Sequence, residues 1–247
     1  MKFDLSELRN RHQGETLWVL GGGPSLRFVD PSFFIDKTTV AASHAAFSYG
    51  VVPDYVFSHH WTQLTSYVAD FSETIFVLNK LEWPTMQAWD LAEPSNLVLH
   101  VPTDWNNAQR DFDPFKKSWN RDSLVFGSSS LHGAMHLAAH LGASNLILVG
   151  ADNSRIDGFA SAPGHKAPFY GYPIVDYENH LRRMKNWLAT EYGVSIHSLN
   201  PFVNLHLEGH KLNDSIRFPK GIRLHWSRLL HGLRRHLPPG LAIRMPW

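Results

Sequence analysis

Short apolar runs of strand length recur along the chain, and each ends in small or polar residues. Two longer segments, 131–141 and 177–191, instead carry apolar residues at helical spacing. Strands that alternate with helices predict an α/β fold, with a largely parallel sheet and helices on both of its faces. The predicted strands are 16–20, 38–42, 54–58, 73–79, 96–101, 145–149 and 194–197.

The segment 131–141 is the clearest helix, because its apolar residues form one continuous stripe. His132, His136 and His140 follow each other at i, i+4 and i+8 in the same helix. This spacing can hold a metal ion, but no carboxylate continues the pattern. We therefore predict that the three histidines lie on a solvated face opposite the apolar stripe.

The composition is that of an ordinary globular protein, with 43% hydrophobic and 18% charged residues among 247. The chain has no cysteine, which excludes a disulfide scaffold, a thiolate nucleophile and a Cys-ligated metal. The N-terminus is charged, and no apolar run reaches the ~18 residues of a membrane span. We expect a cytoplasmic protein.

Charge and composition divide the chain into a body and a tail. We predict one α/β domain over 1–206, in which 61–124 is interpreted as an inserted lid. The tail, 207–247, holds eight Lys or Arg against two acids. Within it, 222–236 has the pattern of a basic amphipathic helix, which would either bind the anionic inner face of a membrane or dock on the core. Nucleic-acid binding is the weaker interpretation of this tail.

In an open parallel sheet the ligand lies at the carboxyl ends of the strands, so the residues that follow each strand are the candidates. The first strand ends in Gly21–Ser25, where glycines permit close approach of a phosphate. The loop lacks the lysine of a P-loop and the spacing of a dinucleotide motif, and a tight structural turn is the alternative. Ser129 and Ser130 open the predicted helix, with simple capping as the alternative. Asp152 follows another strand, where it could hold a hydroxyl or stabilise a turn.

Histidines occupy two loops that are predicted near this crevice. His59 and His60 follow the third strand, and His165 lies in a Gly-His pair. An imidazole with a pKa near 6.5 can act as general acid or base at neutral pH. A hydrogen-bonded loop histidine is the alternative in each case.

Three segments together, 17–26, 39–58 and 127–152, resemble the 6-hydroxymethylpterin diphosphokinase (MptE-like) family. Their order is similar in Maf-type flagellin glycosyltransferases and, more distantly, in bacterial CMP-sialic-acid sialyltransferases. The resemblance implies a Rossmann-like transferase with a nucleotide or nucleotide-sugar donor and a glycan or small-alcohol acceptor. The residues it implies for the donor are Gly21, Gly22, Gly23, Pro24, Ser25, Ser43, Ser58, His59, Ser129, Ser130 and Asp152.

One departure from the family pattern decides between the activities. MptE-like proteins usually carry an acid shortly after the third strand, where this chain has Ser58, His59 and His60. Diphosphoryl transfer from ATP commonly needs Mg²⁺ held by carboxylates, so we favour a glycosyltransferase with a CMP-activated, sialic-acid-like donor and no required metal. His165, similar in its Gly-His pair to the sialyltransferase base, or His60 would then be catalytic. The alternatives are a Mg²⁺- and ATP-dependent diphosphokinase and a non-catalytic nucleotide-binding protein.

Overall fold

A computed structural model describes residues 4–23, 26, 29–59, 64–79, 94–100, 123–125, 129–151 and 174–199. Over these residues the chain forms one seven-stranded sheet, in which every pairing is parallel. The predicted strands are confirmed, with ends that differ by one or two residues. They are β1 (Thr16–Leu20), β2 (Thr39–Ala42), β3 (Tyr55–Ser58), β4 (Ile75–Asn79), β5 (Leu97–His100), β6 (Asn145–Val149) and β7 (Ser195–Leu199).

The strand order is β5-β4-β3-β2-β1-β6-β7, so the chain reverses its direction across the sheet between β5 and β6. Right-handed connections that progress in opposite directions place their helices on opposite faces. The described helices are α1 (Ala45–Ser48), α2 (Thr65–Asp70), α3 (Ser130–His140) and α4 (Ile174–Tyr192). The predicted Rossmann-like α/β class is confirmed.

Two apolar layers cover the sheet, one on each face. Leu17 and Val19 of β1 point into the layer that contains α3 and α4. Trp18 and Leu20, which alternate with them, point into a second layer with Phe33 of a short 3-10 turn. Residues of α1 and α2 complete that second layer. Both faces are buried, which explains why the strands are nearly continuous apolar runs rather than alternating ones.

Helix α3 is buried on every side, from Leu131 to His140. One side packs on β1, β2 and β3, and Gly133 lies so close to the ring of Phe57 that a Cβ atom would collide with it. Helix α4 and the N-terminal 3-10 turn, Leu5–Leu8, cover other parts of its surface. The helix is therefore an interior element of the protein.

The predicted solvated face of this helix is wrong, because His132, His136 and His140 are all buried. The amide of Val125 donates to Nδ1 of His136 at 2.8 Å, which places the ring proton on Nε2, 2.6 Å from the Tyr192 hydroxyl. Nε2 of His140 lies 2.9 Å from the carbonyl oxygen of Leu5. The histidines tie α3 to the elements around it, and α4 buries the side that its sequence pattern assigned to water.

Part of the predicted lid over 61–124 belongs to the sheet layers, because α2, β4 and β5 fall within it. Residues 61–63, 80–93 and 101–122 of that stretch lie outside the described residues, and so does the tail 207–247. Among the helices that the structure describes, none is long and apolar enough to cross a membrane.

Acid should destabilise the fold through its buried histidines. Burial lowers the pKa of His100 and of His132 to about 3, and that of His136 well below its usual value. The unfolded chain then binds more protons below pH ~6.5, so stability is present above that pH and is lost as the pH falls. His100 and His132 should each cost about 2 kcal/mol between pH 7 and pH 5, measured by urea unfolding.

The variant His132→Leu should reduce this pH-dependent loss of stability by about 2 kcal/mol, the contribution of one histidine. His197→Leu, a matched change at an exposed position of β7, should leave the loss unchanged. If His132→Leu keeps the full pH dependence, His132 takes up its proton while the protein is folded, and its burial is not the cause.

Candidate functional site

The carboxyl edge of the sheet has its switch point between β1 and β6, the place where strand order reverses and where ligands bind in open α/β sheets. Gly21 and Gly150 follow these two strands with their backbones in contact. A Cβ atom on Gly21 would collide with the Gly150 carbonyl, and Gly150 has a left-handed φ of 68°. Glycine is required at both positions for the strands to end side by side.

Most amides of the glycine loop donate hydrogen bonds to other backbone groups of the protein. The amide of Gly21 donates to the carbonyl of Val149, and that of Gly23 to the carbonyl of Gly150, each at 2.7 Å. Within the described residues, Gly22 is the glycine of this loop whose amide makes no backbone hydrogen bond. The predicted phosphate cradle therefore offers fewer amides than the sequence indicates, since two of its three glycine amides donate to Val149 and Gly150 at the end of β6.

The ends of β2 and β3 lie next to this loop. Ser43 has a left-handed φ of 59°, and its amide donates to the Phe57 carbonyl at 2.8 Å. A serine in this conformation is strained, which is typical of residues at functional sites. His44, one residue on, is buried, and burial lowers its pKa. Ser58, the last residue of β3, is also buried.

The start of α3 meets the end of β3 at the same edge. The amide of His59 donates to Oγ of Ser130 at 3.4 Å. Ser129 stands at the N-cap position, yet its side chain makes no capping hydrogen bond, and its buried Oγ has no partner among the described residues. Capping therefore does not account for the Ser129 hydroxyl, which lies beside the amides of a helix N-terminus.

All described members of the predicted donor set lie at this edge: Gly21, Gly22, Gly23, Ser43, Ser58, His59, Ser129 and Ser130. Pro24, Ser25, His60, Asp152 and His165 lie outside the described residues, so their placement stays a prediction.

Solved structures share this fold, whereas no protein-family model and no curated protein matches the chain. The monofunctional alpha-2,3-sialyltransferase Cst-I from Campylobacter jejuni matches with 12% identity and a TM-score of 0.50, over 94% of this chain and 90% of that one. The sialyltransferase CstII of the same organism, in complex with cytidine-5'-monophosphate, matches with 14% identity and a TM-score of 0.46, over 91% and 99%. At such identities the similarity shows the fold alone.

Sequence reasoning missed two polar residues of this edge, Asn79 at the end of β4 and His100 at the end of β5. Both are buried. Each belongs to a predicted strand, in which a single polar residue among apolar ones is not a recognisable site motif. Their position at the last residue of a parallel strand is the signal that could have found them.

The polar side chains at the ends of β2 to β5 and at the start of α3 are uncharged at neutral pH: they are serines, histidines and Asn79. No cluster of three or more His, Cys, Asp or Glu exists in the described part of the chain. Mg²⁺ prefers carboxylate oxygens, so these residues do not fit it. A carboxylate ligand would have to come from elsewhere, and Asp152 is the next acid after β6 in the sequence.

The close contact between the ends of β1 and β6 predicts that two glycine variants differ in their free energy of unfolding. Gly150→Ala introduces a Cβ atom 2.6 Å from the Gly21 carbonyl oxygen at a left-handed φ, whereas Gly50→Ala meets the same kind of φ with nothing within 4 Å. Gly50→Ala should cost about 1 kcal/mol. Gly150→Ala should cost about 1 to 3 kcal/mol more, measured by urea unfolding. Equal losses would mean that the two strand ends separate without strain.

Proposed function

We propose that this protein is a glycosyltransferase that moves a sugar from a CMP-activated, sialic-acid-like donor to a glycan or surface acceptor. The observation that carries the proposal is the set of uncharged polar residues at the ends of β2 to β5 and at the start of α3, beside the switch point of a parallel sheet. Cst-I, which has this fold over most of the chain, is a sialyltransferase. The resemblance of segments 17–26, 39–58 and 127–152 to nucleotide-dependent transferases supports the same class.

The donor phosphate is proposed to bind between the glycine loop and the start of α3. The helix N-terminus carries a partial positive charge and amides that no preceding turn satisfies. The Gly22 amide and the Ser129 hydroxyl add two donors that the protein itself does not use among the described residues. Such prearranged donors stabilise negative charge that develops on a leaving group.

The transfer is a substitution at the anomeric carbon. The acceptor hydroxyl oxygen forms a bond to this carbon, while the bond from the carbon to the phosphate oxygen breaks and its electron pair leaves with CMP. The proton of the acceptor hydroxyl passes to a histidine, His165 or His60. The phosphate can leave on hydrogen bonds and a helix N-terminus, so the step requires no metal ion.

A diphosphokinase is the second candidate, favoured by the resemblance to the MptE-like family. It would transfer a diphosphoryl group from ATP to an alcohol and would need Mg²⁺. Asp152 is the sequence feature that could supply a ligand. Dependence on ATP and Mg²⁺ separates the two activities, and nucleotide binding without turnover of either kind would indicate a non-catalytic binding protein.

CMP should stabilise the folded protein more than ATP does, because a ligand that binds only the native state raises the melting temperature. Ser129→Ala should weaken CMP binding about tenfold without lowering stability, since the hydroxyl makes no hydrogen bond that the fold would lose. Ser195→Ala, at an exposed position of β7, is the matched control. Preferential stabilisation by ATP with Mg²⁺ would contradict the proposed donor.

Turnover of CMP-sialic acid should persist in EDTA. His165→Ala or His60→Ala should lower kcat by about 10² to 10⁴, which is the usual contribution of a general base. His197→Ala controls for loss of a histidine away from this edge. A strict Mg²⁺ requirement would favour the diphosphokinase, and unchanged kcat in both histidine variants would refute the assignment of the base.

A further inference from the structure

Three polar side chains on neighbouring strands line up at the carboxyl edge. Asn79 of β4 pairs with His100 of β5, and Ser58 pairs with Leu78, so that His59 comes next to Asn79 in the register. The rings of His59 and His100 both contact the ring of Phe57, with centroids 5.0 and 5.3 Å away. Phe57 and Val77 belong to the apolar layer on the α3 face. We call His59, Asn79 and His100 the polar row; all three lie on that face.

The polar row is almost completely buried, and burial of polar side chains lowers the stability of a fold unless they are hydrogen-bonded. His59, Asn79 and His100 are 3%, 0% and 3% exposed. Both ring nitrogens of His100 lack a hydrogen-bond partner among the described residues. A buried polar group left unsatisfied destabilises a fold, whereas an apolar residue of similar size at that place would not. Among the described residues the His100 ring packs on Phe57 but makes no hydrogen bond, so packing does not explain its two nitrogens, and they point to a ligand.

The row leads away from the place proposed for the phosphate. It begins at His59, whose amide contacts Ser130 at the start of α3. It then crosses β4 to β5, which are three and four strands from β1. With about 4.8 Å between strands, Asn79 and His100 lie roughly 14 and 19 Å from the β1 loop. This is on the far side of the helix start, where a group beyond the donor phosphate would lie.

We propose that the polar row is a subsite for an uncharged, hydroxyl-rich group, the acceptor sugar of the transfer. The assignment of this group to an acceptor rests on the glycosyltransferase function proposed above. Asn79 and a neutral histidine each offer a donor and an acceptor, which matches sugar hydroxyls that both give and receive hydrogen bonds.

The character of the row argues against a charged ligand. Among the described residues that end β3, β4 and β5, none is a Lys, Arg, Asp or Glu. Burial also lowers the pKa of His100 to about 3, so this ring is neutral at pH 7 and brings no positive charge to an anion. A phosphate or carboxylate buried here would lack a counter-charge among the described residues.

The decisive variant is His100→Leu, which is close to histidine in size and removes both ring nitrogens. Because those nitrogens have no partner to lose, the melting temperature should stay the same or rise. The affinity for methyl β-galactoside, used as a neutral sugar probe in an NMR titration of the full chain, should fall at least tenfold. The affinity for CMP should change less than twofold. His197→Leu, the same substitution at an exposed position, should alter none of these values.

Other outcomes would overturn the proposal in distinguishable ways. A lower melting temperature with unchanged sugar affinity would make His100 a structural residue. Equal losses of sugar and CMP affinity would assign the row to the nucleotide site. If the unaltered protein does not bind the neutral sugar, the proposed subsite does not exist. Because CMP binding is measured separately, its absence would count against the proposed donor while the sugar titration still decides about the row.

His100→Gln provides a second test if His100→Leu fails to fold. Glutamine keeps one donor and one acceptor, so it should retain sugar affinity within about threefold of the original. Loss of all sugar affinity in a folded His100→Gln variant, together with loss of CMP affinity, would again place the residue in the nucleotide site and overturn the assignment.

Discussion

The pairing of β1 with β6 holds together the two parts of the sheet. On one side of β1 lie β2 to β5, and on the other lie β6 and β7. The pairing ends where Gly21 and Gly150 touch through their backbones, and the loop amides of Gly21 and Gly23 continue the contact by bonding to β6. The contact that joins the sheet also shapes the crevice, since it decides which amides of the loop remain available to a ligand.

The carboxyl edge concentrates polar groups that the fold does not need. Ser43 holds a strained backbone, Ser129 stands at a helix start without capping it, and His100 is buried with unsatisfied nitrogens. Each is unfavourable for stability by itself. Proteins retain such features where a ligand compensates for them, so their meeting at one edge is a stronger argument for a site than any single motif.

Helix α3 shows how far an interior helix departs from its sequence pattern. Its apolar stripe correctly indicates the face that packs on the sheet, but His136 and His140 are buried as well and bond to Tyr192 and to the Leu5 carbonyl. These partners lie 56 and 135 residues away in the chain. A pattern within one helix carries no information about them, and histidines on its second face look the same whether water or α4 covers them.

The sequence by itself determined the parallel α/β class, the position of each described strand and the loops that form the carboxyl edge. These follow from local rules, namely apolar runs of strand length, helical spacing, and glycine or serine at the strand ends. Only the tertiary structure decided that the amides of Gly21 and Gly23 donate to the carbonyls at the end of β6. It also decided that His59, Asn79 and His100 form one row. The physical reason is strand register: it aligns residues that are 20 or more positions apart, and no local preference specifies it.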